Sequence, residues 1–420
     1  MINPLTPNAM KSHTLFFLIL LIPAISAGQN ELYWQPVDAP EAGNFTAVHI
    51  FQDLSGIICS DNGSILIYDD INDEWQVQTW PGYHFTSLSF TDQQNGWCAG
   101  WYNFGAGIDS SLILRTTDGG LNWTSQEHEN IYRINDIQFI NPNEGWAVGF
   151  EGSDTLNAVL HTTDGGNTWE AQAGILVANA ALNSVSFRSE TIGQVCGNDG
   201  AFFLTVNGGN NWAMNFSFQL ITLNDIVNWG ILSGMVAADD GYLFYTTSNW
   251  YQYTEVETNT MVDLNAACIS PEENVYYVAG DEGTILYSSN LLLGFIQSVQ
   301  TTSNNLNDIT LLTEEYGWAV GDNSTLLIGT PIIGVNESLN RSILRVYPNP
   351  ANGFAHIYVL DNRFPEGLNY SLTTIGGYSV QYGTLKPGKN LINIKSLSPG
   401  IYILEAYSGS YRIFEKLIIR

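Results

Sequence analysis

The feature that most constrains this chain is a pattern that restarts seven times between Gln29 and Thr330. Each copy opens on an apolar strand, runs into a segment like Gly145-Trp-Ala-Val-Gly149, and turns at one like Thr162-Thr-Asp-Gly-Gly-Asn-Thr-Trp169. The openings fall at Phe45, Phe85, Ile134, Leu182, Leu223, Leu264 and Leu306, so the intervals run from 40 to 49 residues. A repeat of that length is one supersecondary block of about four strands, and it can bury its faces only against copies of itself. The spacing predicts an all-β chain with a seven-bladed β-propeller over residues 28–330.

The seventh unit stops after Thr325-Leu-Leu-Ile-Gly-Thr330, before any Trp-bearing outer strand. Tyr33-Trp-Gln-Pro-Val37, ahead of the first unit, looks like the missing piece, since its siblings include Trp123-Thr-Ser-Gln126. The N-terminal strand is therefore expected to complete blade seven and remove two free sheet edges. Further upstream, the apolar run Leu15 to Ile22 follows Lys11 and precedes the small residues Ala24, Ser26 and Ala27. That is the form of a Sec signal peptide over residues 1–27, cut after Ser26 or Ala27, and the run is too short to span a bilayer as a helix. No transmembrane segment is expected.

Charge divides the chain. Residues 28–340 hold 37 Asp and Glu against Arg115, Arg133 and Arg188, whereas residues 341–420 hold nine Lys and Arg against four acids. A propeller so acidic repels nucleic acid, which excludes that class of partner. The four cysteines, Cys59, Cys98, Cys196 and Cys268, form no Cys-x-x-Cys pair, so neither a zinc site nor a redox motif is expected. Cys59 and Cys98 sit in neighbouring blades but one residue out of register in equivalent strands, which is expected to turn them to opposite sides and leave buried free thiols.

The last 79 residues, 342–420, follow a polar linker at 331–341 and alternate polar and apolar side chains between Pro and Gly turns, which reads as a small immunoglobulin-like β-sandwich. Four pieces stand out: Tyr347-Pro348-Asn349-Pro350, the glycine turn at Gly376, Gly400-Ile-Tyr402, and the terminal Lys416-Leu417. Together they resemble the C-terminal sorting domain of type IX secretion in the Bacteroidetes, although Thr374 and Gly377 stand where that family often carries charges. The resemblance implies recognition by the type IX machinery and a secreted or outer-membrane-surface location. It also implies removal of the tail and, in many members, attachment of the cargo to lipopolysaccharide.

Thr116-Thr-Asp-Gly-Gly-Leu-Asn-Trp123 and its copy at Thr162 are full Asp-boxes, with Thr205-Val-Asn-Gly-Gly209 and Thr246-Thr-Ser248 as variants. These turns resemble those of sialidase-type propellers and of the photosystem II assembly-factor propellers. In such a turn the Asp accepts backbone N–H bonds, the glycines supply positive φ and the Trp packs beneath. The role is structural, and one carboxylate per turn falls short of a calcium shell. A sialidase needs three arginines converging on a carboxylate. Here Arg115 occupies the strand slot that His161 fills in the next blade, and Arg188 lies in a turn.

Two long connections, Trp101 to Asp109 and Phe150 to Leu156, emerge on the face opposite the Asp-boxes. The inter-blade links bring further aromatic groups to that face, so Trp80, Tyr83, Trp101, Tyr102, Phe104, Tyr132 and Arg133 are the expected ligand-binding residues. Aromatic rings beside carboxylates suit a sugar ring or a peptide, unless they serve only to pack their own loops. No catalytic residue, cofactor or metal is assigned. The competing expectation is a glycoside hydrolase, with Asp109, Glu127, Glu151 and Asp154 as the acids available to it. Finally, Asp136, Asp225 and Asp308 share one inner-strand position with Ala47, Ser87, Ser184 and Ala266, which points to a narrow central channel holding water, a cation or hydrogen bonds between blades.

Overall fold

The computed structural model describes residues 31–70, 72–103, 109–126, 133–151, 156–172, 180–214, 218, 220–272, 274–331, 344–359, 367–374, 377–408 and 411–420. The expected signal peptide, and all of the linker except Pro331, lie outside them.

Blade one lays Phe45–Ile50, Gly56–Ser60, Ser64–Asp69 and Glu74–Thr79 side by side in chain order. Blades two to six repeat that order behind the inner strands Tyr83–Phe90, Arg133–Phe139, Leu182–Phe187, Leu223–Trp229 and Leu264–Ile269. Blade seven takes three strands from the end of the ring, Leu306–Thr313, Tyr316–Gly321 and Thr325–Pro331, and its outer strand from the N-terminus, Leu32–Pro36. The latch is antiparallel, with Leu32 opposite Pro331 and Trp34 opposite Gly329.

The repeated opening residues have a common physical purpose. In all seven blades the inner strand breaks register between the opening residue and the one two places on, which marks a β-bulge. The extra residue is a Thr or an Asn, and the bulge aims its side chain at the next blade. Thr46 donates to the Phe85 carbonyl at 3.0 Å and Thr86 to that of Ile134 at 2.9 Å. Asn135, Asn183, Asn224 and Asn265 reach Leu182, Leu223, Leu264 and Leu306 at 2.8 to 3.0 Å. Asn307 then closes the circuit onto Phe45 at 2.9 Å. One side-chain hydrogen bond thus joins every blade to its successor, each worth about 1 kcal/mol net.

The same bulge explains the glycines that end the second strand. A Cβ on Gly149 would lie 2.0 Å from the Arg133 carbonyl oxygen, so only glycine tolerates the bulged backbone there. The tryptophan of that strand packs across the blade seam. Trp97 stacks on Phe139 at 3.5 Å and Trp146 on Phe187 at 3.6 Å between centroids. Arg115 covers Trp97 and His161 covers Trp146, so Arg115 does belong to a repeated packing position.

All four cysteines are buried and free. The register argument for Cys59 and Cys98 needs correction. Within one sheet the two positions do face opposite ways, but adjacent blades pack front to back, so opposite-facing side chains of neighbours meet. Both thiols lie in the core between blades one and two, beside Ala47, Ile57 and Phe85.

From Leu344 onward the chain forms two further sheets around one core that includes Leu344, Ile357, Leu372, Leu404 and Leu417. Ser379–Leu385, Leu368–Thr374, Gly400–Ser408 and Tyr411–Ile419 make one sheet, and Leu344–Asn352, Phe354–Val359 and Gly388–Asn393 make the other. They join through the single parallel pair Ala351 and Ile419.

Candidate functional site

The blade-two and blade-three face is built from the ends of inner strands. Register sets His84 opposite Trp101 and Tyr83 opposite Tyr102 in blade two, and Arg133 opposite Phe150 in blade three. The His84 ring stacks on Trp101 with centroids 4.0 Å apart, while the Arg133 guanidinium carbon lies 3.9 Å from the Trp101 centroid and 5.7 Å from that of Phe150. Two planar groups that close to one ring centroid cannot share a face, so His84 and Arg133 sandwich the indole. Tyr83 and Tyr102 pair at 5.1 Å, and Trp80 meets Phe85 edge-on at 5.6 Å.

The structure therefore brings Tyr83, Trp101, Tyr102 and Arg133 together, with Trp80 against the same strand at Phe85. Each of these five is half-buried. Phe104, Tyr132, Glu127 and Asp154 lie outside the described residues, and Asp109 and Glu151 mark strand ends. His84 and Phe150 complete the stack. Both belong to connections that the sequence brings to this face, but their stacking on Trp101 and Arg133 crosses the seam of two blades, for which no single repeat carries a signal.

In the tail, motif pieces far apart in sequence converge. Tyr347, Pro348, Asn349 and Pro350 lie in the strand Leu344–Asn352. Asn349 donates through Nδ2 to the Lys416 carbonyl at 2.7 Å and accepts the Ile418 N–H at 2.8 Å. Gly400 and Tyr402 pair with Ile419 and Leu417 of that same last strand, and the Tyr402 hydroxyl donates to the Ser398 carbonyl at 2.8 Å. The motif thus marks the joint between the two sheets, with Asn349 clasping the C-terminal strand.

Residues 345–420 match the family described as the secretion system C-terminal sorting domain, and residues 125–247 match the photosynthesis system II assembly factor YCF48. The chain joins a YCF48-like propeller to a sorting domain. Among solved structures, YCF48 bound to D1 peptide is 15% identical with a TM-score of 0.57, covering 71% of this chain and 97% of that one. YCF48 from Cyanidioschyzon merolae is 17% identical with a TM-score of 0.55, covering 70% and 98%. The WD40 β-propeller domain of Doa1 is 10% identical with a TM-score of 0.55, covering 74% and 98%. At such identities these likenesses establish the propeller fold. No curated protein matches the chain.

The propeller's Asp-boxes serve structure. Asp118 accepts the Asn122 N–H at 2.9 Å and the Asn122 amide at 2.7 Å, and Thr116 Oγ1 accepts the Gly120 N–H at 2.9 Å. Asp164, Thr168, Thr162 and Gly166 repeat the set. The Asn122 side chain, helped by its backbone N–H, holds the Asp118 carboxyl below the usual range. Burial acts the other way on Asp164, but the bonds from Thr168, Thr162 and Asn167 together outweigh it and hold that carboxyl low as well. Groups kept ionised in this way are unsuited to general-acid work. Sequence reading missed an open cleft of about 460 Å³ on this side of the ring, lined by Phe51, Ser55, Gln93, Thr117, Asp118 and Leu121 at the seam of blades one and two. It arises from turns of two blades, for which no single repeat carries a signal.

The channel carboxylates also bind backbone. Asp136 accepts the Val185 N–H of blade four at 2.9 Å, Asp225 the Ala267 N–H of blade six at 2.8 Å, and Asp308 the Val48 N–H of blade one at 2.8 Å. Ser184 links Asp136 and Asp225 at 3.2 and 2.8 Å. By surface area these aspartates are only partly covered, because they line a narrow bore, yet protein surrounds them closely. That desolvation, opposed by the backbone hydrogen bonds and reinforced by mutual repulsion, pushes Asp225 up to about 6 and Asp308 to about 7, with Asp136 raised as well. Hydrogen bonding between blades accounts for this position.

Proposed function

We propose that this chain is exported by the type IX route and works outside the cell as a non-enzymatic recognition propeller. The sorting domain is its address, read by the secretion machinery and removed at the linker. The observation that carries the recognition reading is the blade-two and blade-three stack. His84, Trp101 and Arg133 form a rigid column whose edges remain half exposed beside the Tyr83 and Tyr102 pair. Because both faces of Trp101 are occupied, a ligand would meet the indole edge, the tyrosine rings and the Arg133 donors. Rigid aromatic groups with one forked cation suit a glycan or a peptide segment at low entropic cost. A similar propeller has been solved bound to D1 peptide, which supports a peptide as a ligand class for the fold.

The test is a glycan- and peptide-array screen of the full chain, with hits measured by titration calorimetry against Tyr102→Ala and Arg133→Ala. The reading expects each variant to fold and to bind at least tenfold more weakly, since such contacts contribute about 1–2 kcal/mol or more each. A hit bound equally by wild type and both variants places recognition elsewhere, and an array silent to the folded chain removes the reading.

A further inference from the structure

Cys59 and Cys98 are each completely buried and pack into the same core between blades one and two, where burial first and then the neighbouring Cys59 push the Cys98 thiol up. Thr46 Oγ1 sits 3.4 Å from the Cys59 sulfur. The other two cysteines have no such neighbour, because Cys196 lies in the core of blades four and five and Cys268 in that of blades six and seven. We propose that Cys59 and Cys98 form a disulfide that staples blade one to blade two. The export reading supplies the setting, since structural disulfides persist in oxidising compartments.

The oxidant is a disulfide, either of a small thiol or of a thiol oxidase. One cysteine thiolate attacks it, releasing one reduced thiol and leaving a mixed disulfide; the second cysteine displaces the other thiol and completes the protein S–S bond. Two S–H bonds are lost from the protein, the oxidant's S–S bond takes up two electrons, and the two protons end, by way of solvent, on the two thiols released. Burial pushes the Cys98 thiol up, and the closed core excludes the oxidant, so exchange has to precede closure of the seam. The two blades are consecutive in the chain, which brings these cysteines together early.

The experiment refolds the full chain from denaturant in a buffer of reduced and oxidised glutathione, then alkylates it in denaturant without reductant. The proposal expects labels at Cys196 and Cys268 only, a peptide pair joined through Cys59 and Cys98, and a mass lower by two hydrogens. Chain folded under reducing conditions and then given the same buffer should keep four alkylatable thiols. The oxidised form should melt roughly 5–10 °C above the reduced one, and Cys98→Ala should melt alike in both buffers. Four labels after oxidative refolding, a link through Cys196 or Cys268, or equal melting of the two wild-type forms would overturn the staple. Refolding in vitro makes this outcome independent of whether the chain is exported.

Discussion

Trp34→Ala is expected to cost about 3–5 kcal/mol of stability, read as a lower denaturant midpoint, because it empties the slot that closes the ring. Trp34 is 1% exposed, meets Tyr277 edge-on at 5.5 Å, and lies against Gly317 and Gly329, whose missing side chains make room for the indole. The Leu32 N–H reaches the Tyr277 hydroxyl of blade six at 2.6 Å, so the latch ties blade seven to its neighbour as well as to itself. Trp34→Phe should recover part of the loss, whereas Gly329→Val should reproduce it by blocking the slot. A Trp34→Ala chain with the wild-type midpoint would mean that three strands suffice for blade seven.

The second large effect concerns pH. Asp225 and Asp308 hold protons in the folded state that an unfolded carboxyl releases near pH 4, with folded values of about 6 and about 7. Their contribution is therefore complete below about pH 4 and is lost as pH rises through 6 and 7. His49 opposes it: burial lowers that imidazole to about 4, so its contribution is lost as pH falls from 6.5 toward 4. Between pH 6.5 and 8 the channel groups dominate the slope, and the buried thiols of Cys98, Cys196 and Cys268 add to the decline only as pH nears the range where unfolded thiols ionise. Denaturant titrations of wild type should show stability declining from pH 6.5 to 8.5. Between pH 5 and 8, the double variant Asp225→Asn, Asp308→Asn should remove a decline on the order of 4 kcal/mol. Parallel pH profiles for the two proteins would show that the aspartates are ionised throughout.

Much of the architecture was legible because the physics repeats. Seven Thr or Asn bulge residues, each bonded to the next blade, impose one local pattern on every unit, and Trp34 resembled the tryptophans of its sibling strands closely enough to place the latch. What depends on the packing of one blade against another was not legible. The Cys59 and Cys98 register pointed the wrong way until the front-to-back stacking of blades was known, and whether Trp101 met a ligand or packed its own surroundings was open until Arg133 and His84 were seen against it. The tail motif carried its family signal without its reason, because Asn349 and Lys416 meet only through a hydrogen bond across 67 residues.

The account places this propeller outside the cell, and fractionation of a bacterium that possesses type IX secretion tests that claim most directly. Cells would express either the full chain or a chain ending at Pro331, followed by immunoblots of periplasm, surface and medium. The account predicts the product of the full chain at the surface or in the medium without residues 342–420, and the shortened chain folded but held in the periplasm. Equal export of both chains, or retention of both inside, would contradict it.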